Sequence, residues 1–411
     1  MTDPTGRSFL SYRRNRSDEC ERLVVAQRER GIPTWRDVDD MNSEPTEDEL
    51  RRIIRDGSTA NVVLWITPDT AASPMIRNVE APVALERHGR NDGFFIVPVA
   101  AGGLDYAGAA AAIKNSTSIT DLGNWNVVKL HSDPATDADI ARVANQILKQ
   151  RLQAIDRHLL PDAPLRIALN TRQSVGHQVG QALTIDWSHR FGGIQSREAT
   201  AADWQEKLLP ALADVSRVIQ QNVPGRRILV GGVLSLSAAT ALGFHFMAPA
   251  GMDIAWEQRM PDGSVQFWSR KANREDSGFT AAASAGAVDA TDLAVLVSVN
   301  SEVSGAVAAS AATTVPFRAY VHVKRADSAQ SAMLQTPGQA LDVAEKTVAA
   351  VRNARQEYGI TGRVHLFAAI PAGLSMLIGQ MLNTLGPVQT YEHIQSDATG
   401  CYKPAALLNC Q

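Results

Sequence analysis

The sequence has few residues of the kinds that build cross-linked or metal-bound frameworks. It contains only three cysteines, Cys20, Cys401 and Cys410, and no Cys-x-x-Cys pair. Its nine histidines are scattered and show neither a His-Glu-x-x-His motif nor another spacing typical of zinc sites. We therefore expect no disulfide framework, no metal and no bound cofactor, and we expect a reducing cytoplasm as the compartment.

Long apolar runs and an excess of positive charge are also missing. No apolar run reaches the ~18–20 residues of a membrane-spanning helix, and the first residues turn polar and charged too soon for a signal peptide. The formal net charge is −3, whereas proteins that bind long nucleic acids usually carry a basic surplus. These absences argue against a membrane or a long nucleic acid as partner. A small anionic ligand needs only a few local donors, so it is not excluded.

The composition that is present is that of an ordinary globular protein. Hydrophobic residues make up 45% of the chain and charged residues 20%. A length of 411 residues is too great for one core, so two or three domains are expected.

The first 150 or so residues alternate strand-like and helix-like segments. An amphipathic helix is predicted over 18–30, and Thr46 begins a Thr-x-x-Glu capping box before another. Strands alternating with helices favour a flavodoxin-like α/β fold, a parallel sheet flanked by helices, with functional residues at the carboxyl ends of the strands. The predicted strands cover residues 8–12, 31–35, 61–67 and 94–99.

A boundary between domains follows a long amphipathic helix predicted over 132–156. Charged residues and two prolines come next, so 156–163 is the predicted linker. This divides the chain into an N-terminal domain, 1–155, and a C-terminal domain, 164–411.

The C-terminal domain contains an internal repeat. Residues 227–243 and 363–379 align without a gap at an offset of 136, and each copy has an apolar strand, a small-residue turn and a helix ending in glycine. Trp256-Glu257 matches Tyr391-Glu392 at offset 135, and Leu169-Asn170 matches Val299-Asn300 at offset 130. The common order predicts two similar α/β halves, approximately 164–290 and 291–411.

Glu80 is the main candidate for chemistry in the N-terminal domain. It follows the strand at 61–67, and Ser73-Pro74 forms a suitable start for a helix between them. A carboxylate there could hold ribose hydroxyls and stabilise positive charge while a glycosidic bond breaks. If the leaving group is already cationic, as nicotinamide is in NAD+, the reaction requires no general acid, whereas ordinary glycosidases use two carboxylates. From spacing alone, a solvated helix glutamate is the favoured alternative for Glu80, and more so for Glu86.

Four segments in this region, in the same order, resemble a TIR domain over roughly residues 5–150. They are Ser8–Arg13, Gly31–Asp37, the 61–67 strand, and Ser73 to Glu80 with Ala84-Leu85-Glu86 beyond. The resemblance implies hydrolysis of NAD+, as substrate, to nicotinamide and ADP-ribose or its cyclic form, with Glu80 catalytic. It also implies nucleotide contacts from the first strand and a mobile loop, at Phe9, Ser11, Arg13, Trp35, Asp37 and Ser43.

Two positions depart from the TIR pattern. Thr67 replaces the usual serine at the end of the third strand, and Pro82 lies two residues after Glu80. Proline inside a helix removes a backbone hydrogen bond, so the helix either begins near Asn78 or is kinked. For Trp35 and Asp37, a purely structural role is the alternative to substrate contact.

The C-terminal domain resembles a SAVED domain, a nucleotide-sensing module of two fused Rossmann-like, CARF-like halves. The similarity covers about 164–411 and is clearest over 363–392. Small residues let backbone N–H groups at a helix N-terminus approach an anion, so both repeated turns are predicted ligand contacts. These are Ser235, Ser237 and Ala238 in one half, and Pro371, Ala372, Gly373, Leu374 and Ser375 in the other.

Cationic and aromatic side chains add further candidates for ligand contact. Phosphate partners could be Arg270, Lys271, Lys324 and Arg325, although each is individually more typical of a solvated surface. Tyr391, Trp256 and Trp268 could stack on a base, with core filling as the favoured alternative.

Together the two domains resemble the TIR-SAVED effectors of CBASS, a bacterial antiphage system. That resemblance implies that a cyclic oligonucleotide, cyclic tri-adenylate by family usage, drives self-association into oligomers or filaments that deplete NAD+. Two alternatives remain open. The TIR domain is a non-enzymatic adaptor that recruits a partner, or the chain is a constitutive metabolic NAD glycohydrolase whose C-terminal region binds an ordinary metabolite.

Overall fold

The computed structural model divides the chain into two compact units. It describes residues 1–35, 46–114, 125–174, 176, 178, 180–192, 198–247, 251–310, 315–325, 333–394 and 401–409. The first unit comprises Met1–Ile167, Val175–Ile185 and Arg217–Pro224, and the second comprises Ala168–Ser174, Asp186–Ser216 and Gly225–Gln411. Among the described residues, no helix is long and apolar enough to cross a membrane.

The first unit contains a parallel sheet whose strands overlap the four predicted ones. Its strand order is β2-β1-β3-β4-β5, and every described pairing is parallel. The strands are β1 (Arg7–Ser11), β2 (Thr34–Trp35), β3 (Thr59–Ile66), β4 (Phe95–Ala100) and β5 (Val128–Lys129). The helices are α1 (Ser17–Glu29), α2 (Thr46–Arg55), α3 (Ala81–His88), α4 (Tyr106–Ile113) and α5 (Asp137–His158). This confirms a parallel α/β architecture.

Burial explains why the long apolar runs form the centre of this sheet. All eight residues of β3 and all six of β4 are buried, as expected of strands covered by helices on both faces. Helix α5 begins with a capping box between Thr136 and Asp139. It extends to His158, so the first residues of the predicted linker are helical.

Residues 175–185 and 217–224 group with the first unit, although the sequence boundary assigned them to the second domain. Three long-range contacts account for this grouping. The guanidinium of buried Arg151 on α5 donates to the carbonyl of Ala182, Thr184 N donates to the carbonyl of Gly31, and Gln153 donates to Asn222.

Two further sheets follow along the chain. One has the order β10-β9-β8-β6-β7 and the other β11-β13-β12-β14-β15-β16. The first is built from β6 (Leu165–Asn170), β7 (Leu183–Asp186), β8 (Arg227–Gly231), β9 (Asp253–Arg259) and β10 (Val265–Trp268). The second is built from β11 (Phe279–Ala285), β12 (Asp292–Ser298), β13 (Phe317–Arg325), β14 (Val364–Ala369), β15 (Pro387–Ile394) and β16 (Cys401–Asn409). The helices are α6 (Leu209–Asn222), α7 (Leu236–His245), α8 (Ser304–Ala309), α9 (Pro337–Glu357) and α10 (Ala372–Gly379).

The strand orders of these sheets confirm the predicted repeat. The series β10-β9-β8-β6-β7 corresponds strand by strand to β16-β15-β14-β12-β13. The outer strands β10 and β16 are both antiparallel to their neighbours, while β8–β9 and β14–β15 are both parallel. In each copy a helix, α7 or α10, follows the strand that the alignment had paired.

One strand crosses the predicted boundary between the halves. β11 belongs to the first half by sequence, but it pairs antiparallel with β13 at the edge of the second sheet. Its residues are mainly alanine, and most are exposed. A strand with so little hydrophobic alternation gives no indication of which sheet it joins.

The two repeat helices cross at reciprocal glycines. A Cβ added to Gly243 would lie 2.0 Å from the carbonyl oxygen of Met376, and one added to Gly379 would lie 2.1 Å from that of Thr240. Gly243 and Gly379, like Thr240 and Met376, are equivalent positions at the offset of 136. The contacts therefore obey an approximate two-fold relation, and glycine is required because the helix backbones touch.

His245, the last residue of α7, should make the stability of the second unit depend on pH. Burial lowers its pKa to about 4 from 6.5. Between these values the unfolded chain takes up a proton that the folded chain does not, so stability present above pH 6.5 is lost as the pH falls toward 4. The difference corresponds to at most about 3 kcal/mol. Urea unfolding at pH 7.5 and pH 5 should show this loss in the unmodified protein.

The test uses His245→Phe, with His393→Phe as control because His393 is exposed. We expect the difference in unfolding midpoint between the two pH values to shrink in His245→Phe and to persist in the control. An unchanged difference in His245→Phe would show that other groups carry the pH dependence.

Candidate functional site

Glu80 lies at the end of a wide helical turn rather than inside a regular helix. The turn Ile76–Glu80 has π-type spacing and precedes α3, which begins at Ala81. Ser73 Oγ accepts from the backbone N–H of Ile76 at 3.4 Å, so this serine caps the helical segment as predicted. Pro82 stands in the first turn of α3, directly after the wide turn. Helical backbone runs without a break from Pro74 through the wide turn into α3, so the helix does not begin near Asn78, and the wide turn is the irregularity that precedes Pro82.

The structure brings Glu80 into contact with Ser11, 69 residues earlier in the chain. Ser11 ends β1, and its hydroxyl donates to Glu80 Oε2. Both side chains are nearly covered, at 2% exposure for Ser11 and 8% for Glu80. Two residues that the TIR resemblance places in one site therefore meet at the carboxyl edge of the sheet, where α/β folds place ligands. Such a carboxylate can accept from ribose hydroxyls and stabilise positive charge on a sugar carbon.

The other predicted substrate contacts divide into three groups. Phe9 and Trp35 stack at 4.9 Å between ring centroids and are buried in the core, which matches the structural alternative for Trp35. Arg13 lies at the sheet edge and pairs with Asp69 at 3.3 Å. Asp37 and Ser43 lie outside the described residues.

Thr67, which replaces the usual serine of the TIR pattern, and Glu86, the second helix glutamate, have clear structural roles. The Thr67 hydroxyl donates to Asp69 at 2.6 Å, and this bond is the main reason why the pKa of that carboxyl is lowered. Glu86 is half-exposed and pairs with Arg55 and Arg90. Its contacts are those of a solvated helix glutamate.

In the second unit, the chain's own carboxylate occupies the N-terminus of α7. Ser235 caps this helix by accepting from Ala238 N at 3.3 Å. Ser237 N donates to Glu392 Oε1, from β15, at 3.0 Å. Ser235, Ser237 and Ala238 are all buried. In this structure the N–H groups of these three residues have partners within the protein.

Glu392 is held in a largely desolvated position. Burial raises the pKa of its carboxyl, opposed by its hydroxyl and amide donors and by the Arg172 guanidinium. The Arg172 Nη2 atom lies 3.6 Å from Glu392 Oε2. Arg172 remains partly exposed, so the pair joins a buried carboxyl group to a guanidinium that reaches the surface.

The second repeated turn is also engaged internally. Gly373 packs under two indoles, since an added Cβ would lie 2.7 Å from Trp256 Cδ1 and 2.9 Å from Trp268 Cε3. Ser375 Oγ lies 2.8 Å from the Thr240 hydroxyl and donates to the Leu236 carbonyl at 2.9 Å. Small residues at these positions let α7 and α10 pack closely. Leu374 is buried, and of the predicted set in this half only Pro371 and Ala372 keep part of their surface.

The aromatic candidates fill the core. Tyr391 stacks on Phe367 at 4.3 Å, and its hydroxyl lies 2.7 Å from His365 Nδ1. Trp256 and Trp268 are buried as well. These placements correspond to the core-filling alternative.

The four cationic candidates have separate surroundings. Lys271 pairs with Asp253 at 2.8 Å, and Arg325 lies over the Phe279 ring at 6.0 Å from its centroid. Arg270 and Lys324 are exposed.

A polar cluster that was not predicted from the sequence lies at the carboxyl end of β6. Asn170 Oδ1 accepts from Val233 N at 3.1 Å, and Thr171 Oγ1 accepts from Ser235 N at 2.8 Å. Both side chains are buried, and Arg172 follows them. The Asn170–Asn300 match in the repeat could have drawn attention to this strand end.

Comparison with known proteins identifies part of the chain. Residues 211–408 match the family model for SAVED, described as "SMODS-associated and fused to various effectors sensor domain". No curated protein sequence matches the chain.

Among solved structures, the chain is similar to Cap4 SAVED/CARF-domain containing receptors. One, from Acinetobacter baumannii with the cyclic trinucleotide 3′3′3′-cAAA, has 14% identity and a TM-score of 0.49 over 96% of this chain and 98% of that one. The receptor from the same organism with 2′3′3′-cAAA has 16% identity and a TM-score of 0.48 over 90% and 86%. The Moraxella osloensis receptor has 15% identity and a TM-score of 0.45 over 97% and 100%.

At TM-scores below one half these likenesses carry no weight for function. The repeated architecture and the family match agree over the C-terminal region. Residues 211–408 of this chain are a SAVED sensor domain.

Proposed function

We propose that this chain is an NAD+ hydrolase that a cyclic oligonucleotide switches on, acting as an abortive-infection effector against phage. The observation that carries the enzymatic part is the contact between Ser11 and Glu80. The resemblance to a TIR domain implies that both residues belong to one substrate site. Their meeting at the carboxyl edge of a parallel sheet supports a site built around one carboxylate.

The chemistry requires little from the protein beyond that carboxylate. The bond between ribose C1′ and the nicotinamide nitrogen breaks with its electron pair moving to the nitrogen, which neutralises the cationic ring. Positive charge develops on the ribose, and Glu80 stabilises it. Water then attacks C1′ and loses a proton, giving ADP-ribose. A ribose hydroxyl that replaces Ser11 as the donor to Glu80 would hold the sugar in place.

The sensor domain supports control by a small anionic messenger. The resemblance to TIR-SAVED effectors favours a cyclic oligonucleotide, and cyclic tri-adenylate is our first candidate. A ligand shifts an equilibrium only toward the state that binds it better. A head-to-tail contact between identical subunits extends into a filament when its rotation does not close. Ligand-driven assembly would then expose Glu80, which is covered in this structure, to its substrate.

The test is nicotinamide release from NAD+ by the purified protein, with and without a panel of cyclic di-, tri- and tetranucleotides. We expect release with one ligand, and we expect the rate per subunit to fall on dilution as assemblies dissociate. Release without any nucleotide would favour a metabolic NAD glycohydrolase. A protein that stayed monomeric with ligand, and kept its rate on dilution, would contradict activation by assembly.

The near-complete burial of Glu80 also favours a second candidate, a non-enzymatic TIR adaptor. In that case a cyclic oligonucleotide would bind without nicotinamide release under any condition, and Glu80 variants would keep their biological effect.

A further inference from the structure

Three observations at the N-terminus of α7 point to an anion site that the protein fills by itself. First, Glu392 presents a carboxylate to the N–H of Ser237, at the positive end of the helix dipole. Second, Arg172 lies 3.6 Å from the same carboxylate. Third, within the described part of the chain, Asn170 Nδ2 is buried and has no hydrogen-bond partner.

The unpaired donor on Asn170 is not explained if Glu392 only caps the N-terminus of α7. Asn170 is 2% exposed, and its Oδ1 atom binds the backbone of Val233 in the turn that leads into α7. A buried amide donor without an acceptor is unfavourable. Asn170 therefore keeps one buried donor beside the turn that leads into α7, the helix at whose start Ser237 N and Arg172 meet the Glu392 carboxyl group. Phosphate has more acceptor atoms than carboxylate and suits the planar fork of arginine.

We propose that Glu392 is an internal competitor for a ligand phosphate. In the ligand-free protein its carboxylate occupies the α7 N-terminus and holds Arg172. A phosphodiester of the cyclic oligonucleotide binds by displacing this carboxylate, and it then accepts from Ser237 N, Asn170 Nδ2 and Arg172. This inference rests on the proposed function, because the ligand class comes from it.

Displacement of Glu392 would change the contact between the two halves of the sensor domain. Glu392 lies on β15 of the second half, whereas Ser237 and Arg172 belong to the first, so displacement breaks a contact between the two halves. Ligand binding would thereby be coupled to movement of β15 relative to α7.

Two variants should change affinity in opposite directions. Glu392→Gln keeps an oxygen for Ser237 N but removes the negative charge, so cyclic tri-adenylate should bind about tenfold more tightly. Arg172→Gln removes the cation, and the Kd should rise about 10- to 100-fold. Calorimetry measures both, with Glu206→Gln and Arg352→Gln as controls because these side chains are exposed. A purely structural ion pair would instead make both variants bind more weakly.

An unchanged or higher Kd in folded Glu392→Gln would overturn the inference while leaving the proposed function in place. If neither the unmodified protein nor Glu392→Gln bound any cyclic oligonucleotide, the proposed function and this inference would fail together. A crystal structure of the unmodified protein with cyclic tri-adenylate decides the matter without a variant. We expect a phosphate oxygen at Ser237 N and Arg172, and a Glu392 carboxylate still bonded to Ser237 N would contradict displacement.

Discussion

Replacing Glu80 by glutamine is expected to abolish nicotinamide release while leaving the fold and ligand binding intact. The substitution preserves shape and an oxygen that can accept from Ser11, but it removes the negative charge that opposes the ribose cation. Loss of one such electrostatic contribution in a water-excluded site lowers rates by about 10²- to 10³-fold. Because Glu80 is the only carboxylate that we assign to this chemistry, we expect a loss at the upper end. Nicotinamide release at saturating cyclic oligonucleotide measures it.

The matched control is Glu86→Gln, on the exposed face of α3. Glu86 pairs with Arg55 and Arg90 at the surface, and the loss of such pairs changes stability by less than about 1 kcal/mol. Release should therefore remain near the unmodified rate. Equal retention of release in Glu80→Gln and Glu86→Gln would assign the chemistry to another group. Cleavage by none of the proteins, with ligand bound, would support the adaptor.

The largest loss of stability is expected from a side chain at the crossing of α7 and α10. Gly243→Val would place atoms where the carbonyl oxygen of Met376 lies, 2.0 Å from the position of a Cβ. The obstruction is backbone, so the helices must separate. Overpacking of this kind lowers the free energy of unfolding by about 3 kcal/mol, and by more where the backbone cannot shift. Thermal or urea unfolding of the intact chain checks this.

Two further substitutions separate crowding from the loss of glycine itself. Gly305→Ala, in α8, meets no atom within 4 Å and should be neutral or slightly stabilising. Gly379→Val, the pseudo-symmetric partner of Gly243→Val, should destabilise to a similar degree. A normal unfolding midpoint for Gly243→Val would show that the two helices tolerate wider spacing, so that their crossing does not require glycine.

Local patterns in the sequence predicted much of the architecture. Continuous apolar runs located β3 and β4 because both faces of these strands are covered, and a capping box located the start of α2. The aligned segments predicted that β8 with α7 and β14 with α10 are equivalent, and their strand orders agree. The edge strand β11 has no such pattern, so the sheet to which it belongs could not be predicted and is known only from its pairing with β13.

The candidate site was predicted less evenly. Glu80 and Ser11 were assigned to one place and meet there, whereas Phe9 and Trp35 stack in the core beneath the sheet edge. In the sensor domain, the small residues at 235–238 and 372–375 indicated two helix starts correctly. They did not indicate that the turns face the protein's own side chains.

The sequence by itself determined the two-part α/β organisation, the internal repeat and the position of one carboxylate next to a strand end. These depend on periodicity and on similarity between segments, which a linear chain displays directly. Only the tertiary structure decided that Glu392 fills the N-terminus of α7, because its contact with Ser237 joins residues 155 positions apart in different halves. The sequence showed Gly243 and Gly379 only as the ends of the two repeated segments, and the tertiary structure shows that α7 and α10 cross at these glycines. Small residues at a helix start allow either close packing of another helix or binding of an anion. Which of the two occurs depends on how the two halves fold together.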